Sequence, residues 1–362
     1  MTRNSKPSQK PFIIPVFVPH MGCPHRCAFC NQTSITGINP HTNQSAITER
    51  LRDLLKLYPK RTPSREVAFY GGSFTGMEKA VQVQLLSAVH PFIQEGLIDS
   101  VRISTRPDYV DPQVLDLLKE HGVVTVELGV QSMVDEVLCQ SRRGHTADDV
   151  LMAAKLLHGH GFKMGIQIMV GLPGDDARSN AETIDRVIQL NPHFVRIYPT
   201  LVLKGTLLER WYRSGRYVPL SLEEAVGLCK RAFLKFSKAG IPVIRLGLQS
   251  SPELETEDCI VAGPYHPAFG HLVESSLFYE MASYLMGRTR GLRVFRARVS
   301  PFDLSNFRGQ KNRNLEQLSR EFGLEHIHIE VDEQQSRGSL FLLNGTKRDG
   351  ISYWTLPFHS SR

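Results

Sequence analysis

The sequence contains no apolar run that approaches the roughly eighteen residues a membrane-spanning helix needs, so a helical membrane protein is not expected. Residues 1–10 are polar and basic, and no apolar core follows them, which argues against a secretory leader. A cytoplasmic location is the simplest expectation. No internal repeat or low-complexity tract is present. There are only six cysteines, and their partly clustered placement in a long chain expected to be intracellular argues against a disulfide framework. Acidic residues are in the minority, 36 Asp and Glu against 43 Lys and Arg, for a net charge of +7.

What is present is unevenly placed. Residues 1–66 carry ten Lys and Arg against three Asp and Glu, and residues 286–313 carry eight against Asp303 alone. Clustered basic charge points to a polyanionic partner, although a solvated face gives the same composition. Three of the cysteines, Cys23, Cys27 and Cys30, fall within eight residues, which points to metal binding. Cys139 and Cys229 lie in helix-like stretches and are expected to be buried small hydrophobes. Cys259 lies in an acidic loop and has no assigned role.

Short apolar runs alternate with helical patterns along most of the chain. Strands are expected at 12–18, 66–70, 101–104, 123–130, 162–170, 194–198 and 243–246. Helices are expected at 47–57, 81–92, 111–120, 147–158, 180–190 and 222–238. This is the pattern of parallel βαβ units, so the fold class is α/β, a full or partial (β/α) barrel with its chemistry at the C-terminal strand ends. The pattern changes near residues 252–263. Beyond it, a helix at 272–285, strands at 292–299, 326–330 and 339–343, and a helix at 314–322 suggest a small α+β module. The expected division is a flexible basic N-terminus (1–11), the barrel (12–250) and a small C-terminal α+β domain (251–362).

The spacing C-x3-C-x2-C of Cys23, Cys27 and Cys30 gives three thiolates on one loop after the first strand. Each can bind one iron of a cubane, leaving the fourth iron open to a cosubstrate. A zinc site with His20 or His25 as fourth ligand is the competing reading. Phe29, just before the third cysteine, is placed to shield a cluster and border an adenine.

The spacing and the aromatic resemble the radical S-adenosylmethionine (SAM) superfamily. Further motifs are similar to the radical domain of the Elongator catalytic subunit. They are Phe17-Val-Pro-His-Met-Gly-Cys23, Cys30-Asn31-Gln32, Thr105-Arg-Pro-Asp108, Glu127-Leu-Gly-Val-Gln-Ser132, Arg143-Gly-His145, Gly171-Leu-Pro-Gly174, Ile197-Tyr-Pro-Thr200 and Lys204-Gly-Thr206. The likeness covers roughly residues 12–246 and implies a radical SAM enzyme with a [4Fe–4S] cluster and SAM as cofactors. It further implies a 5′-deoxyadenosyl radical as the reactive species, a reductant such as a ferredoxin or flavodoxin, and a tRNA or other RNA substrate. The residues after 246 show no acyl-CoA phosphate loop, so the acetyl chemistry of Elongator is not expected to carry over intact.

The resemblance also assigns residues. The Gly71-Gly72-Ser73 turn would present backbone to the SAM amino group, where an ordinary strand-to-helix turn is the plain alternative. Gln131 would hydrogen-bond the ribose. Arg143 would pair with the carboxylate, with Arg142 as its neighbouring rival. Where related coproporphyrinogen oxidases carry an acidic residue before Gly-Leu-Pro, this chain has Gln167. Glu127 points inward from its strand and is expected to act in catalysis or in a charge network. Tyr198 either faces substrate or packs with its hydroxyl satisfied. Lys204, at the same barrel mouth, is a candidate phosphate contact.

In the tail, Arg296 and Arg298 share one strand face opposite Phe295, Ala297 and Val299. The segment Gly309-Gln-Lys-Asn312 resembles the G-x-x-G loop of KH-type RNA modules but lacks the second glycine. Arg308, Lys311 and Arg313 around it suit phosphates, and a protein-packing surface is the alternative. Three functional alternatives remain beside the RNA-modifying enzyme. They are a small-molecule radical enzyme of tetrapyrrole type, a non-catalytic cluster-bearing binding protein and a zinc protein.

Overall fold

The computed structural model describes residues 11–18, 20–24, 26–31, 44–57, 64–249, 254–255, 259–289, 291–345 and 347–357. The basic residues 1–10, the candidate zinc ligand His25 and Gln32 of the cysteine motif lie outside them.

Runs rich in Val, Ile and Phe form β1 (Phe12–Val18), β2 (Arg65–Gly71), β3 (Ser100–Thr105), β4 (Val123–Gln131) and β5 (Lys163–Val170), each parallel to the next. They are followed by β6 (Phe194–Pro199), the short β7 (Val202–Leu203) and β8 (Val243–Leu246). The large sheet runs β1-β2-β3-β4-β5-β6-β8. Its strands are largely apolar, as burial beneath crossover helices requires; Val67, Ala68 and Phe69 are consecutive and fully buried. Among the described residues β1 and β8 stand at the two edges, so the barrel is partial.

The crossover helices begin at side-chain caps. Asp111 accepts from the Val114 amide ahead of Pro112, and Thr146 with Asp149 and Ser221 with Glu224 form capping boxes. Two expectations needed revision. The helix expected at 81–92 is two helices, Lys79–Ser87 and His90–Gln94, because Pro91 begins the second. Cys139 is exposed rather than buried, since Val137 and Leu138 are the buried residues of its helix, Asp135–Gln140. Cys229 is fully buried, and that burial pushes its thiol far up.

The chain divides into two compact units. One comprises Met1–Arg196, Thr200–Pro219 and Ser250–Gly263; the other comprises Ile197–Pro199, Leu220–Gln249 and Pro264–Arg362. The helix Leu222–Lys238 groups with the C-terminal residues. Leu234 sits in their core with Leu277, Phe278 and Phe295, and Lys238 donates to the Leu356 carbonyl at 2.7 Å.

In the first unit β7 pairs antiparallel with β9 (Ile260–Ala262). The second holds a four-stranded sheet ordered β11 (His326–Val331), β10 (Val294–Val299), β12 (Ser339–Asn344), β13 (Lys347–Ser352). β10 and β11 are parallel, while β12 is antiparallel to both β10 and β13. The helices Phe269–Gly287 and Arg313–Phe322 contribute to the core on one face of this sheet, around Phe295, Ala297, Val299, Leu340 and Leu342.

Candidate active site

The sharp motifs converge on the C-terminal edge of the sheet. The cysteine loop follows β1, the glycine turn follows β2, Thr105 ends β3, Gln131 ends β4 and Gly171 follows β5.

Backbone bonds fix the cysteine loop before any metal is considered. The Cys23 amide donates to the His20 carbonyl at 3.2 Å and the Cys30 amide to Cys27 at 3.1 Å. The glycine turn is laced to the same loop, with Gly72 donating to Val18 at 2.9 Å and Ser73 to Met21 at 2.8 Å. The glycines allow this approach. A Cβ on Gly72 would collide with the Met21 carbonyl oxygen, and one on Gly22 with that of Ser73. Gly72→Ala is therefore expected to cost about 1–3 kcal/mol and to loosen the cysteine loop. Urea unfolding and iron per chain would check this. Gly227→Ala, inside the helix Leu222–Lys238 and with a new Cβ that meets nothing within 4 Å, is the contrasting control, expected to stabilise by about 0.5–1 kcal/mol and leave iron unchanged.

The turn's amides are thus used on the cysteine loop. That suits an amino-group ligand, which needs carbonyl acceptors rather than amides. The Ser73 hydroxyl is buried too, 3.0 Å from that of Thr105, and it accepts from the Arg106 amide at 3.2 Å. Ser73 acts here as a clamp between the ends of β2 and β3.

The backbone sets Arg142 and Arg143 in different surroundings. Arg142 takes a left-handed conformation at φ 53° and is exposed, its guanidinium 6.0 Å from the Trp211 ring centroid. Arg143 is buried; it donates to the Cys27 sulfur at 3.1 Å and also to the Gly129 carbonyl. Burial, and then the neighbouring Cys27, push the Cys23 thiol up, while the Ser73 amide, Arg106 and Arg143 pull it down. Arg106 is itself buried and paired with Asp108 at 2.8 Å. Arg143→Ala is expected to weaken cluster retention about 10–100-fold, as removal of an outer-shell partner does, and Arg142→Ala to leave it unchanged. Iron loss to a chelator measures both.

Gln131 sits at a β-bulge against β5, with φ 68° and 4% exposure. Its Oε1 is buried with no hydrogen-bond partner among the described residues, which is costly unless a bound hydroxyl donates to it. Gln167 is half-buried on β5, beside Gly129 in the register. Phe29 packs with Val202, Leu208 and Tyr217, anchoring the loop to the segment after β6. The Leu208 amide donates to Ala28 at 2.8 Å, and Asn31 Nδ2 donates to the Lys204 carbonyl at 2.7 Å. Lys204 is exposed next to Gly205, and its amide donates to Cys259 at 3.0 Å. Cys259 is buried beside β9.

Glu127 lies in a charge ladder across the sheet interior. Arg102 bonds Glu66 at 2.6 Å and Glu127 at 2.7 Å, and Arg196 bonds Glu127 at 2.8 Å. Tyr70 donates to Glu127 at 3.3 Å and accepts from Arg196 at 2.9 Å. Burial works against the Arg102 charge, and the Glu127 and Glu66 carboxylates more than offset it. Gly165 leaves room for the Phe194 ring, over which Arg102 lies at 4.9 Å. Tyr198 is half-buried on β6, on the same strand face as Arg196. Arg102, Arg106, Glu66 and Tyr70 were not anticipated. Arg102 and Glu66 carried a usable signal, a charged residue beside apolar neighbours within a buried strand.

Arg308, Lys311 and Arg313 are exposed. They surround a turn between the helices Leu304–Arg308 and Arg313–Phe322 in which Gly309, Lys311 and Asn312 all have positive φ. β10 and β11 flank these helices, giving a β-α-turn-α-β order around the would-be phosphate loop.

Among the described residues no three His, Cys, Asp or Glu side chains converge as ligands of a single ion would. In a cubane each cysteine ligates a different iron, and three thiolates on one loop suit that group. The unpartnered Gln131 oxygen fits a hydroxyl-bearing cosubstrate alongside it.

The Radical SAM superfamily profile matches residues 17–187, and the Radical_SAM C-terminal domain profile matches residues 192–278. The chain belongs to the radical SAM superfamily. Its members are enzymes that use a [4Fe–4S] cluster and SAM. This radical SAM chain is 35% identical over 133 residues to a tRNA uridine(34) acetyltransferase of Methanocaldococcus jannaschii. That match covers 36% of the chain and 25% of the relative, so the chain spans only a quarter of it. It is 29% identical over 256 residues to protein MJ0486 of the same organism, covering 68% of the chain and 78% of that protein. The archaeal Methanocaldococcus infernus Elp3 structure, lacking its N-terminal residues, superposes with a TM-score of 0.56 at 23% identity. The superposition covers 78% of this chain and 65% of that one, and it supports the partial-barrel fold. No helix among the described residues is long and apolar enough to cross a membrane.

Proposed function

We propose that this chain reductively cleaves SAM at a [4Fe–4S] cluster held by Cys23, Cys27 and Cys30, and directs the radical to a tRNA. The bound cluster supplies the electron that breaks the sulfonium C–S bond. The chain's own residues do the positioning. The Gly71-Gly72 turn sets the height of the cysteine loop, Arg143 holds the Cys27 sulfur, and Gln131 offers Oε1 to a ribose hydroxyl. The carrying observation is this meeting of three independent elements at the C-terminal ends of β1, β2 and β4, where (β/α) enzymes do their chemistry.

The tRNA part of the reading rests on the named relative and on charge. Lys204, Arg308, Lys311 and Arg313 are its candidate phosphate contacts, and Glu127 and Tyr198 its candidate substrate-side groups. The test is anaerobic 5′-deoxyadenosine formation by reconstituted, reduced protein, with and without bulk tRNA. Formation that rises with tRNA supports the reading. Formation indifferent to tRNA supports a small-molecule substrate, and none from fully loaded protein defeats the enzyme assignment for this chain.

A further inference from the structure

The four-stranded sheet of the second unit buries one face and leaves the other outside its core. Phe295, Ala297 and Val299 of β10, Leu340 and Leu342 of β12 and Ile351 of β13 point into the core. By strand alternation the opposite face carries Arg296 and Arg298, His326 and His328, Phe341 and Leu343, and Arg348. The register fixes their neighbours. Gly350, Phe341, Arg298 and Glu330 form one rung across all four strands. Arg296 and Arg348 each lie two residues before that rung, on strands running the same way, so both stand on its same side. One strand separates β10 from β13, which puts the two backbones about 10 Å apart.

Their chemistry differs from that of the rung. Arg298 is matched by Glu330 at 3.0 Å. Arg296 and Arg348 are exposed, with no ion pair or hydrogen bond to any described residue. Arg296 is beside His328 in the register, and His326 and His328 are exposed along the outer strand. The register sets Leu343 between Arg296 and Arg348; half-buried Phe341 stands one rung along on the same face, its ring lying where a Cβ on Gly350 would be. Two unpaired guanidiniums with an aromatic one rung away on an open sheet face match the phosphates and bases of an unpaired nucleic-acid strand.

We infer that this sheet face is a binding platform for single-stranded RNA, with Arg296 and Arg348 on phosphates and Phe341 beneath a base. This rests on the RNA reading above and adds a surface separate from the Gly309 turn. The test measures retention of a single-stranded RNA by the full chain across a salt series. Each phosphate contact on a single strand contributes about 0.7 to the slope of log affinity on log salt. Arg296→Ala with Arg348→Ala is expected to lower that slope by about 1.4 and affinity roughly 25-fold at 0.1 M salt. Phe341→Leu is expected to weaken binding about fivefold or more with little change of slope. Protection of both arginines from a guanidine-modifying reagent by RNA, read by mass spectrometry on unmutated protein, covers any folding defect in the variants. Unmutated protein that retains no RNA defeats the RNA reading itself. Retention with an unchanged slope in the double variant, or no protection of the arginines, overturns the platform and leaves that reading standing.

Discussion

Alanine at any one of Cys23, Cys27 or Cys30 is expected to leave the protein folded but unable to retain its cluster, with 5′-deoxyadenosine formation at background. Three thiolates are all the protein ligation a cubane with an open iron receives. Loss of one ligand therefore exceeds the roughly 100-fold penalty of losing an outer-shell partner. The loop backbone is held independently through Gly72, Ser73, Ala28 and Asn31, so secondary structure persists. Cys139→Ala, at an exposed position, is the matched control. Because burial holds the Cys23 proton on, cluster uptake must expel it, and apparent cluster affinity rises with pH. Iron analysis and visible absorbance across pH measure both effects. Full iron and full activity in two of the three variants would sink the ligand assignment.

The second large effect is expected at Glu127. It is 3% exposed, and its carboxylate bridges Arg102 and Arg196, balancing their two charges together with Glu66. Glu127→Ala leaves the buried Arg102 with Glu66 alone and strips the half-buried Arg196 of its carboxylate partner, and breaking a buried pair of this kind costs about 3–5 kcal/mol. That is a large fraction of the roughly 5–15 kcal/mol that holds a domain together. Glu127→Gln keeps the shape and one acceptor, so a smaller loss is expected. Denaturant midpoints decide between the two roles of this residue. A Gln variant of unchanged stability that makes no product would mark Glu127 as catalytic, and a destabilised variant that still cleaves SAM would mark it as the anchor of the ladder.

The βα alternation was legible because buried parallel strands are nearly continuous apolar runs, as in β2 and β5. Segments outside that rule were not legible. β13 reads Lys-Arg-Asp-Gly-Ile-Ser and becomes a strand only by pairing with β12. β7 and β9 are two and three residues long, too short for any period to register. At the site, the cysteine spacing declared itself, whereas the burial of Arg143 and the exposure of Arg142 depend on the positive φ at Arg142, which residue types do not encode. The Gly71-Gly72-Ser73 turn was found by its residue types, but its tie to the cysteine loop depends on backbone geometry that residue types do not encode.

The bond from Asn31 to Lys204 joins residues 173 positions apart. At about 5–20 residues per second, a ribosome takes roughly 10–35 s to travel from one to the other. Throughout that interval the nascent cysteine loop lacks Lys204, and Leu208 as well, so its thiols emerge long before their clasp is made. Cluster insertion into the finished loop geometry is therefore a late event in the life of the chain. A ribosome that stalls before residue 204 leaves the loop with its bonds to Gly72, Ser73 and Arg143 but without those to Lys204 and Leu208.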